Sequence, residues 1–225
     1  MNLKQMAGIE AAKYVTDGMI VGLGTGSTAK FMVDEIGRRV QEEGLSIIGV
    51  TTSKETERQA LALNIPLKSI DEVPYVDLTI DGADEISEDF HGIKGGGAAL
   101  LFEKIVATYS KKCIWIVDES KLVVKLGQFP LPVEVIPYGH QQLLHLFEEK
   151  GFAPTLRVVA NSKLPLLTDG GHYIIDLHLK EIIDPPAFGS YLDNLVGVVE
   201  HGLFLNTVST IIVGSETGPK TIHRS

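Results

Sequence analysis

Two hydrophobic periods alternate along the first half of the chain. Short apolar runs of the length of a buried strand are separated by stretches in which apolar residues recur at helical spacing. The predicted strands are Met19–Leu23, Leu45–Val50, Val76–Ile80 and Cys113–Val117, and the predicted helices are Met6–Val15, 29–40, Lys54–Leu63 and Ala98–Ser110. This alternation predicts a Rossmann-like α/β fold, with a mostly parallel sheet, helices on both faces and ligands at the carboxyl ends of the strands.

The pattern changes near Gly127. The proline-rich stretch Phe129–Pro137 cannot form a regular helix, because proline lacks an N–H donor and restricts the residue before it. We predict a helix at Gly139–Lys150, strands at Leu156–Ala160 and Tyr173–Leu179, and a turn at 169–171 between them. The sequence therefore predicts an inserted smaller α+β domain over residues 127–197. Residues 1–126 and 198–225 then form the Rossmann-like catalytic domain, to which the strands Val198–Phe204 and Thr210–Val213 return.

Composition narrows the possible partners. The chain of 225 residues carries a formal charge of −9, which argues against nucleic acid or an anionic membrane surface as a partner. No stretch reaches the roughly 18 to 20 apolar residues of a spanning helix, and no apolar signal core is present at the start. The single Cys113 cannot form an internal disulfide, so we expect a cytoplasmic protein.

The glycine-rich turn Gly22–Thr28 follows a strand and opens a helix, a context that suits an anion. It lacks the Gly-Lys-Ser/Thr of an ATP-binding loop. It also has Ser27 where a dinucleotide fingerprint has glycine, and the next strand leads into Thr51-Thr52-Ser53 rather than an acidic residue. A small phosphate ester fits better than NAD or ATP. The alternative is a tight turn capped by Ser27 or Thr28.

Two further segments carry candidate chemistry. Asp81-Gly82-Ala83-Asp84 follows a strand, and Lys94-Gly95-Gly96-Gly97 lies shortly after it. Paired carboxylates, an ammonium group and backbone N–H groups that a ligand can approach closely are suited to moving a proton while holding negative charge. The structural alternatives are an Asx-type turn and a merely flexible loop. Lys121 follows the strand that ends at Val117, so it could reach the same cleft or lie in an exposed loop.

Other titratable residues look structural. Periodicity alone places Glu103 on the solvated face of its helix, beside Lys104 and away from the apolar stripe. Cys113 looks like an inert core thiol. The histidines are not at a metal-ligand spacing supported by nearby cysteines or carboxylates, so we predict no metal site.

The motifs together resemble ribose-5-phosphate isomerase of the A type. The matching segments span nearly the whole chain in order: Gly22–Thr28, Asp81–Ile86, Lys94–Lys104, Asp118–Lys121, Phe129–Pro137 and Gly218–Thr221. The resemblance implies interconversion of D-ribose 5-phosphate and D-ribulose 5-phosphate in the non-oxidative pentose phosphate pathway. It also implies a homodimer or homotetramer, and neither cofactor nor metal.

The resemblance also assigns roles to residues. It implies that Glu103 is the catalytic base and that Asp81, Asp84 and Lys94 are catalytic. We expect the Glu103 side chain to turn inward and share a cleft with them. The substrate contacts implied are Lys4, Thr25, Gly26, Ser27, Thr28, Asp81, Gly82, Ala83, Asp84, Lys94, Gly95, Gly96, Gly97 and Lys121.

Two other functions remain open at this point. One is a coenzyme A transferase in which Glu103 acts as a covalent nucleophile. The other is a sugar-phosphate-sensing module of a regulator, which would require a basic patch or a DNA-binding helix pair. The paired aspartates and the hydroxyl-rich turn count against the first, and the acidic composition counts against the second.

Overall fold

A computed structural model describes residues 2–224, which form two compact units. The first contains the described residues up to Ala83, together with Phe102–Leu122 and the described residues from Asn206 onward. The second contains Asp84–Leu101 and Val123–Leu205. The first and last residues of the predicted catalytic domain, Met1 and Ser225, lie outside the described residues.

The elements follow one another in this order. The helices are α1 (Leu3–Ala12), α2 (Ala29–Glu42), α3 (Lys54–Ala62), α4 (Leu100–Thr108), α5 (His140–Glu149) and α6 (Pro185–Asp193). The first strands are β1 (Ile20–Leu23), β2 (Ile48–Thr51), β3 (Leu78–Asp81), β4 (Glu85–Ser87), β5 (Gly92–Ile93), β6 (Cys113–Asp118) and β7 (Leu122–Val123). The remaining strands are β8 (Leu131–Val135), β9 (Pro154–Leu156), β10 (Tyr173–Leu177), β11 (Val198–His201), β12 (Leu203–Phe204), β13 (Thr210–Ser215) and β14 (Gly218–His223).

A six-stranded sheet in the order β14-β13-β6-β3-β1-β2 organises the first unit. All neighbouring strands are parallel except β13 and β14, which pair antiparallel. The prediction of a mostly parallel α/β sheet is therefore confirmed. The order reverses direction beside β1, so the loops after β1 and β3 open at neighbouring strand ends, where ligands bind in such sheets.

Helices cover both faces of this sheet, as predicted. Alternate side chains of a strand point to opposite faces. Val21 of β1 packs in a core cluster that includes Met32 of α2. Its neighbour Ile20 packs instead with a second cluster that includes Val106 of α4.

The second unit is an α+β structure built on the antiparallel sheet β11-β8-β10-β9. Leu131 and Val133 of β8 form its core together with Phe147 of α5. A smaller antiparallel group pairs β5 with β4 and with β12.

The structure corrects one part of the predicted topology. β11 pairs with β8, and β12 pairs with β5, so the prediction that Val198–Phe204 returns to the first sheet is wrong for these residues. The residue pattern of a strand carries no information about which sheet the strand joins. The segment 84–101, predicted to lie in the catalytic domain, also belongs to the second unit by its contacts. The division into a catalytic domain, 1–126 with 198–225, and a small α+β domain, 127–197, stays a prediction.

One helix, α6, was not predicted, although the sequence carries a clear signal for its start. Helix α6 begins with Pro185 and Pro186, and Asp184 before them accepts a hydrogen bond from the Ala187 N–H at 2.9 Å. An aspartate followed by proline at the first helical position is a typical helix start.

The Asp77 carboxylate links β1 to the loop between α4 and β6. It should make the free energy of unfolding depend on pH under acidic conditions. It accepts the Ile20 N–H at 2.9 Å and the Lys111 ammonium at 2.9 Å. The Ile20 N–H, and to a smaller extent Lys111, lower the pKa of Asp77 below its usual 3.8. A lowered pKa in the folded state means that this stabilisation is present above about pH 4 and is lost as the pH falls through the folded-state pKa.

We therefore expect Asp77→Asn to flatten the acid limb of the stability curve. Urea unfolding between about pH 2.5 and pH 6 should show a steeper loss of the free energy of unfolding in the wild type than in the variant. Asp89→Asn, at an exposed position, serves as the control and should leave the wild-type slope unchanged. Equal slopes in wild type and Asp77→Asn would contradict the assignment.

Candidate active site

The glycine-rich turn of the first unit joins β1 to α2 and leaves two of its residues open to solvent. Gly26 and Ser27 are exposed, whereas Thr25 and Thr28 are buried. The Lys4 ammonium donates to the Ser27 hydroxyl at 2.9 Å, so α1 brings its lysine to the turn as expected. An ammonium, a hydroxyl and the start of a fourteen-residue helix meet here, which is an arrangement suited to an anion.

The capping alternative for this turn fails at Thr28. Within residues 2–224, the Thr28 side chain makes no capping hydrogen bond to α2, although it occupies the N-cap position. The turn is therefore not explained by a side-chain cap at Thr28.

Thr25 is held in a buried cluster of hydroxyl groups. Its hydroxyl lies 2.7 Å from that of Thr52, donates to Ser53 at 2.8 Å and lies 3.1 Å from that of Thr56. The Thr56 hydroxyl in turn donates to the Gly24 carbonyl at 3.0 Å. The Thr25 hydroxyl is therefore engaged within the protein, and a substrate contact at Thr25 stays a prediction. Thr52 and Ser53 directly follow β2. The polar run Thr51-Thr52-Ser53 was therefore the sequence signal for this part of the hydroxyl cluster.

Asp81 supports the same turn from the end of β3. One oxygen of its carboxylate accepts the Thr25 N–H at 2.9 Å and the Gly82 N–H at 2.7 Å. Asp81 is 3 % exposed. A side chain at position 24 would place its Cβ 2.2 Å from this oxygen, so glycine is required there for the carboxylate to approach the turn.

Asp84 plays the matching part in the second unit. Its carboxylate accepts the Gly96 N–H at 2.8 Å, and its own N–H donates to the Ile93 carbonyl. A Cβ at position 96 would lie 2.7 Å from the other carboxylate oxygen, so only glycine fits against Asp84. The loop at 94–97 is therefore bound to Asp84 and is not the merely flexible loop of the structural alternative.

Lys94 is buried, which is unusual for a lysine. It is 3 % exposed, its N–H donates to the Gly202 carbonyl at 2.9 Å, and its ammonium lies 5.3 Å from the centre of the Phe204 ring. An ammonium over an aromatic face is stabilised by the ring's negative face. Burying a charged side chain is costly, so its presence here points to a functional role.

Glu103 is also buried, contrary to the expectation of a solvated helix-face residue. It is 5 % exposed and shares one side of α4 with Leu100 and Val106, which lie three residues before and after it. A prediction from apolar periodicity assigns charged residues to the solvent-facing side of a helix. It therefore cannot identify a charged residue that lies on the buried side. The same burial agrees with the expectation of an inward-turned side chain.

The structure thus brings the predicted residues into two sets, one in each unit. The first unit holds Lys4, the turn 25–28, Asp81 and Gly82, and the second holds Asp84 and the loop 94–97. Glu103 lies on α4 and the half-buried Lys121 ends a short turn after β6. Ala83, also half-buried, ends the first of the three segments that make up the first unit.

One group of possible metal ligands lies in the second unit, at Asp193, Glu200 and His201. The Leu203 N–H donates to Nδ1 of His201 at 3.2 Å, so in the neutral ring the proton sits on Nε2, 3.1 Å from the Asp193 carboxylate. This tautomer uses Nε2 as a donor rather than as a metal ligand. The group is therefore explained by hydrogen bonding, and the absence of a metal site stays a prediction.

Comparisons with known proteins decide the family. Residues 48–218 match the family model for ribose 5-phosphate isomerase A, also called phosphoriboisomerase A. The chain belongs to the ribose-5-phosphate isomerase A family. It is similar to the ribose-5-phosphate isomerase A of Enterococcus faecalis, with 82% identity over 99% of this chain and 98% of the relative. It is 60% identical to that of Streptococcus suis, over 100% of this chain and 99% of the relative.

Solved structures agree with this assignment to the isomerase family. The structure of ribose 5-phosphate isomerase A from Methanocaldococcus jannaschii matches with a TM-score of 0.94 and 41% identity, over 99% of this chain and 98% of that chain. Family membership makes the chain an isomerase of ribose 5-phosphate and places it in the pentose phosphate pathway. The coenzyme A transferase and the regulatory module are therefore set aside. In the described part of the chain, no helix is long and apolar enough to cross a membrane.

The isomerase's glycine-rich turn predicts opposite effects for two neighbouring hydroxyl groups. Thr25→Val should lower the free energy of unfolding by about 1–3 kcal/mol, because it removes several hydrogen bonds from the buried cluster of hydroxyl groups. Ser27→Ala is exposed and should change stability by less than about 0.5 kcal/mol. It should nevertheless weaken binding of inorganic phosphate, because it removes the hydroxyl beside Lys4.

Urea unfolding and titration calorimetry with inorganic phosphate measure the two effects separately. Each variant is the control for the other, since they are two residues apart in one turn. A Ser27→Ala variant that is strongly destabilised but binds phosphate normally would overturn the division of roles.

Proposed function

We propose that the protein interconverts D-ribose 5-phosphate and D-ribulose 5-phosphate through a cis-enediolate, with Glu103 as the single proton-transferring base. The observation that carries this mechanism is the burial of Glu103. It is only 5 % exposed, although the apolar pattern of its helix predicts a position that faces solvent. Burial disfavours the charged form of a carboxylate, so a carboxylate shielded from water is a stronger base than one in solvent.

One carboxylate suffices for the reaction. The base removes the proton from C2 of the open-chain aldose and delivers it to C1 on the same face of the enediolate. That proton thus leaves C2 and returns at C1, a second proton moves from the C2 hydroxyl to the C1 oxygen, and no redox equivalent is consumed. Positioned general-base catalysis of this kind contributes about 10²- to 10⁴-fold.

The negative charge that develops on the enediolate oxygen needs a preorganised partner. We assign this role to the Lys94 ammonium and to the backbone N–H groups of the loop 95–97. The Gly96 N–H already donates to Asp84, so the ammonium and the Gly97 N–H are the better candidates among these donors. The burial of Lys94 supports the assignment, because such interactions are stronger where water is excluded.

The phosphate group is proposed to bind at the turn formed by Gly26, Ser27 and Thr28, beside Lys4 and the start of α2. This site is remote from the reacting carbons and would supply positioning energy. A relative 37% identical to this chain, with a TM-score of 0.96 and 100% of both chains covered, is known in complex with phospho-erythronic acid. That compound carries a phosphate at one end and a planar, anionic carboxylate at the other, where the reaction intermediate carries its planar, anionic enediolate.

Ring opening of the furanose requires an acid and a base, and we propose Asp84 as the main participant. Asp84 is half-buried, whereas Asp81 is 3 % exposed and accepts two backbone N–H groups at one oxygen. The contrast favours Asp81 as the support of the turn and Asp84 as the group that exchanges a proton with the sugar. Lys121, Gly82 and Ala83 are proposed as further substrate contacts.

A homodimer or homotetramer in the cytoplasm, working without cofactor or metal, completes the proposal. The chain offers one cysteine, Cys113, and it is buried, as suits a reducing compartment. Size-exclusion chromatography with light scattering measures the assembly directly.

Glu103→Gln should abolish isomerisation and leave ligand binding intact. Glutamine preserves the size and polarity of the side chain but cannot take a proton, so we expect turnover to fall by more than about 10²-fold. Calorimetry should still detect phospho-erythronic acid. Glu134→Gln is the matched control, because Glu134 is another buried glutamate, 1 % exposed, and its contacts to Thr168 and His172 survive in the amide.

The same pair of variants can be followed in deuterium oxide. With ribose 5-phosphate, the wild type and Glu134→Gln should form ketose and incorporate label at carbon. Glu103→Gln should do neither. Retained turnover above about a tenth of wild type in Glu103→Gln would remove this residue from the base role.

We also expect activity to survive exhaustive chelation. None of the proposed steps uses a Lewis acid, since charge is held by an ammonium and N–H donors. Turnover measured after dialysis against EDTA should equal that of the untreated enzyme. Loss of activity with rescue by a divalent cation would refute the metal-free mechanism.

A further inference from the structure

Arg157 is the second unit's link between its antiparallel sheet and the loop 94–97. It directly follows β9, where its N–H donates to the Ile174 carbonyl at 2.8 Å. The same guanidinium nitrogen, Nη1, donates to the Gly95 carbonyl at 2.8 Å and to the Gly96 carbonyl at 3.2 Å. No feature of the sequence pattern had marked this arginine.

Asp176 of β10 fixes the orientation of the guanidinium. Its two carboxylate oxygens accept from Nε, at 2.8 Å, and from Nη2 of Arg157. Both side chains are largely buried, with 16% and 14% of their surfaces exposed. A two-point arginine–carboxylate pair is planar and directional, so it points the remaining nitrogen, Nη1, at the loop.

The two carbonyls belong to the peptide groups that carry the loop's N–H donors. In a trans peptide the C=O and the N–H of the next residue point in opposite directions. Holding the Gly95 carbonyl therefore aims the Gly96 N–H away from the guanidinium, and that N–H donates to Asp84. Holding the Gly96 carbonyl aims the Gly97 N–H away from the guanidinium in the same manner.

We propose that Arg157 is a positioning residue of the isomerisation, which sets the orientation and the donor strength of the loop's N–H groups without touching the substrate. This inference rests on the proposed role of the loop 94–97. A cation bound to a peptide oxygen polarises the peptide and makes its N–H a stronger donor. Three glycines in a row would otherwise sample many orientations, since glycine is the least restricted residue. The pair Arg157–Asp176 thus supports both the Asp84 contact and the oxyanion donors.

Arg157→Gln should lower kcat by about tenfold to a hundredfold while changing KM by less than about threefold. Loss of one oxyanion donor costs about 10²- to 10³-fold in kcat, and misorientation should cost somewhat less. Affinity for phospho-erythronic acid should fall in parallel with kcat, whereas affinity for inorganic phosphate should stay within about twofold of wild type. Arg157→Lys keeps the positive charge but lacks the planar guanidinium group with its several N–H donors. Its kcat should therefore lie between those of the wild type and Arg157→Gln.

Arg39→Gln is the matched control. Arg39 also donates to two backbone carbonyls, those of Ala12 and Val15, and pairs with the carboxylate of Glu43, and it is 19% exposed. It belongs to the first unit, whereas the loop 94–97 belongs to the second. We expect Arg39→Gln to lose stability with kcat unchanged. In nitrogen-15 spectra, the Gly96 and Gly97 resonances should shift in Arg157→Gln and stay in place in Arg39→Gln.

Two outcomes would overturn the proposal. One is a kcat within about twofold of wild type in folded Arg157→Gln. The other is a fall in kcat without a shift of the Gly96 and Gly97 resonances. Should Arg157→Gln not fold, the same measurements on Arg157→Lys decide the question. Failure of the proposed function is distinguishable, since it would appear as retained turnover in Glu103→Gln.

Discussion

Carboxylate oxygens that accept backbone N–H groups are the constraint on which the rest of this structure depends. Asp81 binds the turn after β1, Asp84 binds the glycine loop, and Glu85 accepts the N–H groups of Gly127 and Phe129. One short stretch of sequence thus holds a loop of the first unit and two loops of the second. Hydrogen bonds to ionised acceptors are about twice as strong as those between neutral groups, so these loops are held firmly.

This arrangement gives the acidic stretch a structural part that is separate from its chemistry. Asp81 and Asp84 resemble a pair of acid–base groups, yet each has an oxygen committed to an N–H group. Asp81 is the more buried and accepts more N–H groups. The burial of Lys94 and Glu103 shows that charged groups of both signs are shielded from water in this chain. Such burial raises the strength of every electrostatic interaction that these groups make.

Much of the fold could be predicted from periodicity, since helices and strands of the first unit have distinct apolar patterns. The pattern is local, however, and strand partners are not. The stretch Val198–Phe204 forms strands as expected, but they join the sheets of the second unit. Helix α6 was missed although Asp184 and the two prolines after it marked its start.

The same limit applies to the candidate site. Features encoded by neighbouring residues could be predicted, whereas contacts between residues distant in sequence could not. The turn after β1 could be located by its glycines, and Lys4 was placed beside it by resemblance. The direction of the Thr25 hydroxyl depends on Thr52, Ser53 and Thr56, which are close only after β1 and β2 pair. Arg157 reaches its partners across 62 and 61 positions of sequence, and no spacing rule covers such a distance.

Pro132 of β8 has a consequence for how tightly a ligand can bind. Cβ atoms added at Gly95 and at Gly202 would both meet the Pro132 ring, at 3.2 Å and 2.8 Å, so this rigid ring lies under both glycines. Ordering a residue's backbone costs roughly 1–2 kcal/mol. Because the glycine loop is already ordered against this ring, its backbone entropy is lost when the protein folds and not when a ligand binds. Mutations that loosen the sheet beneath the loop would then weaken affinity from a distance, coupling thermal stability to recognition.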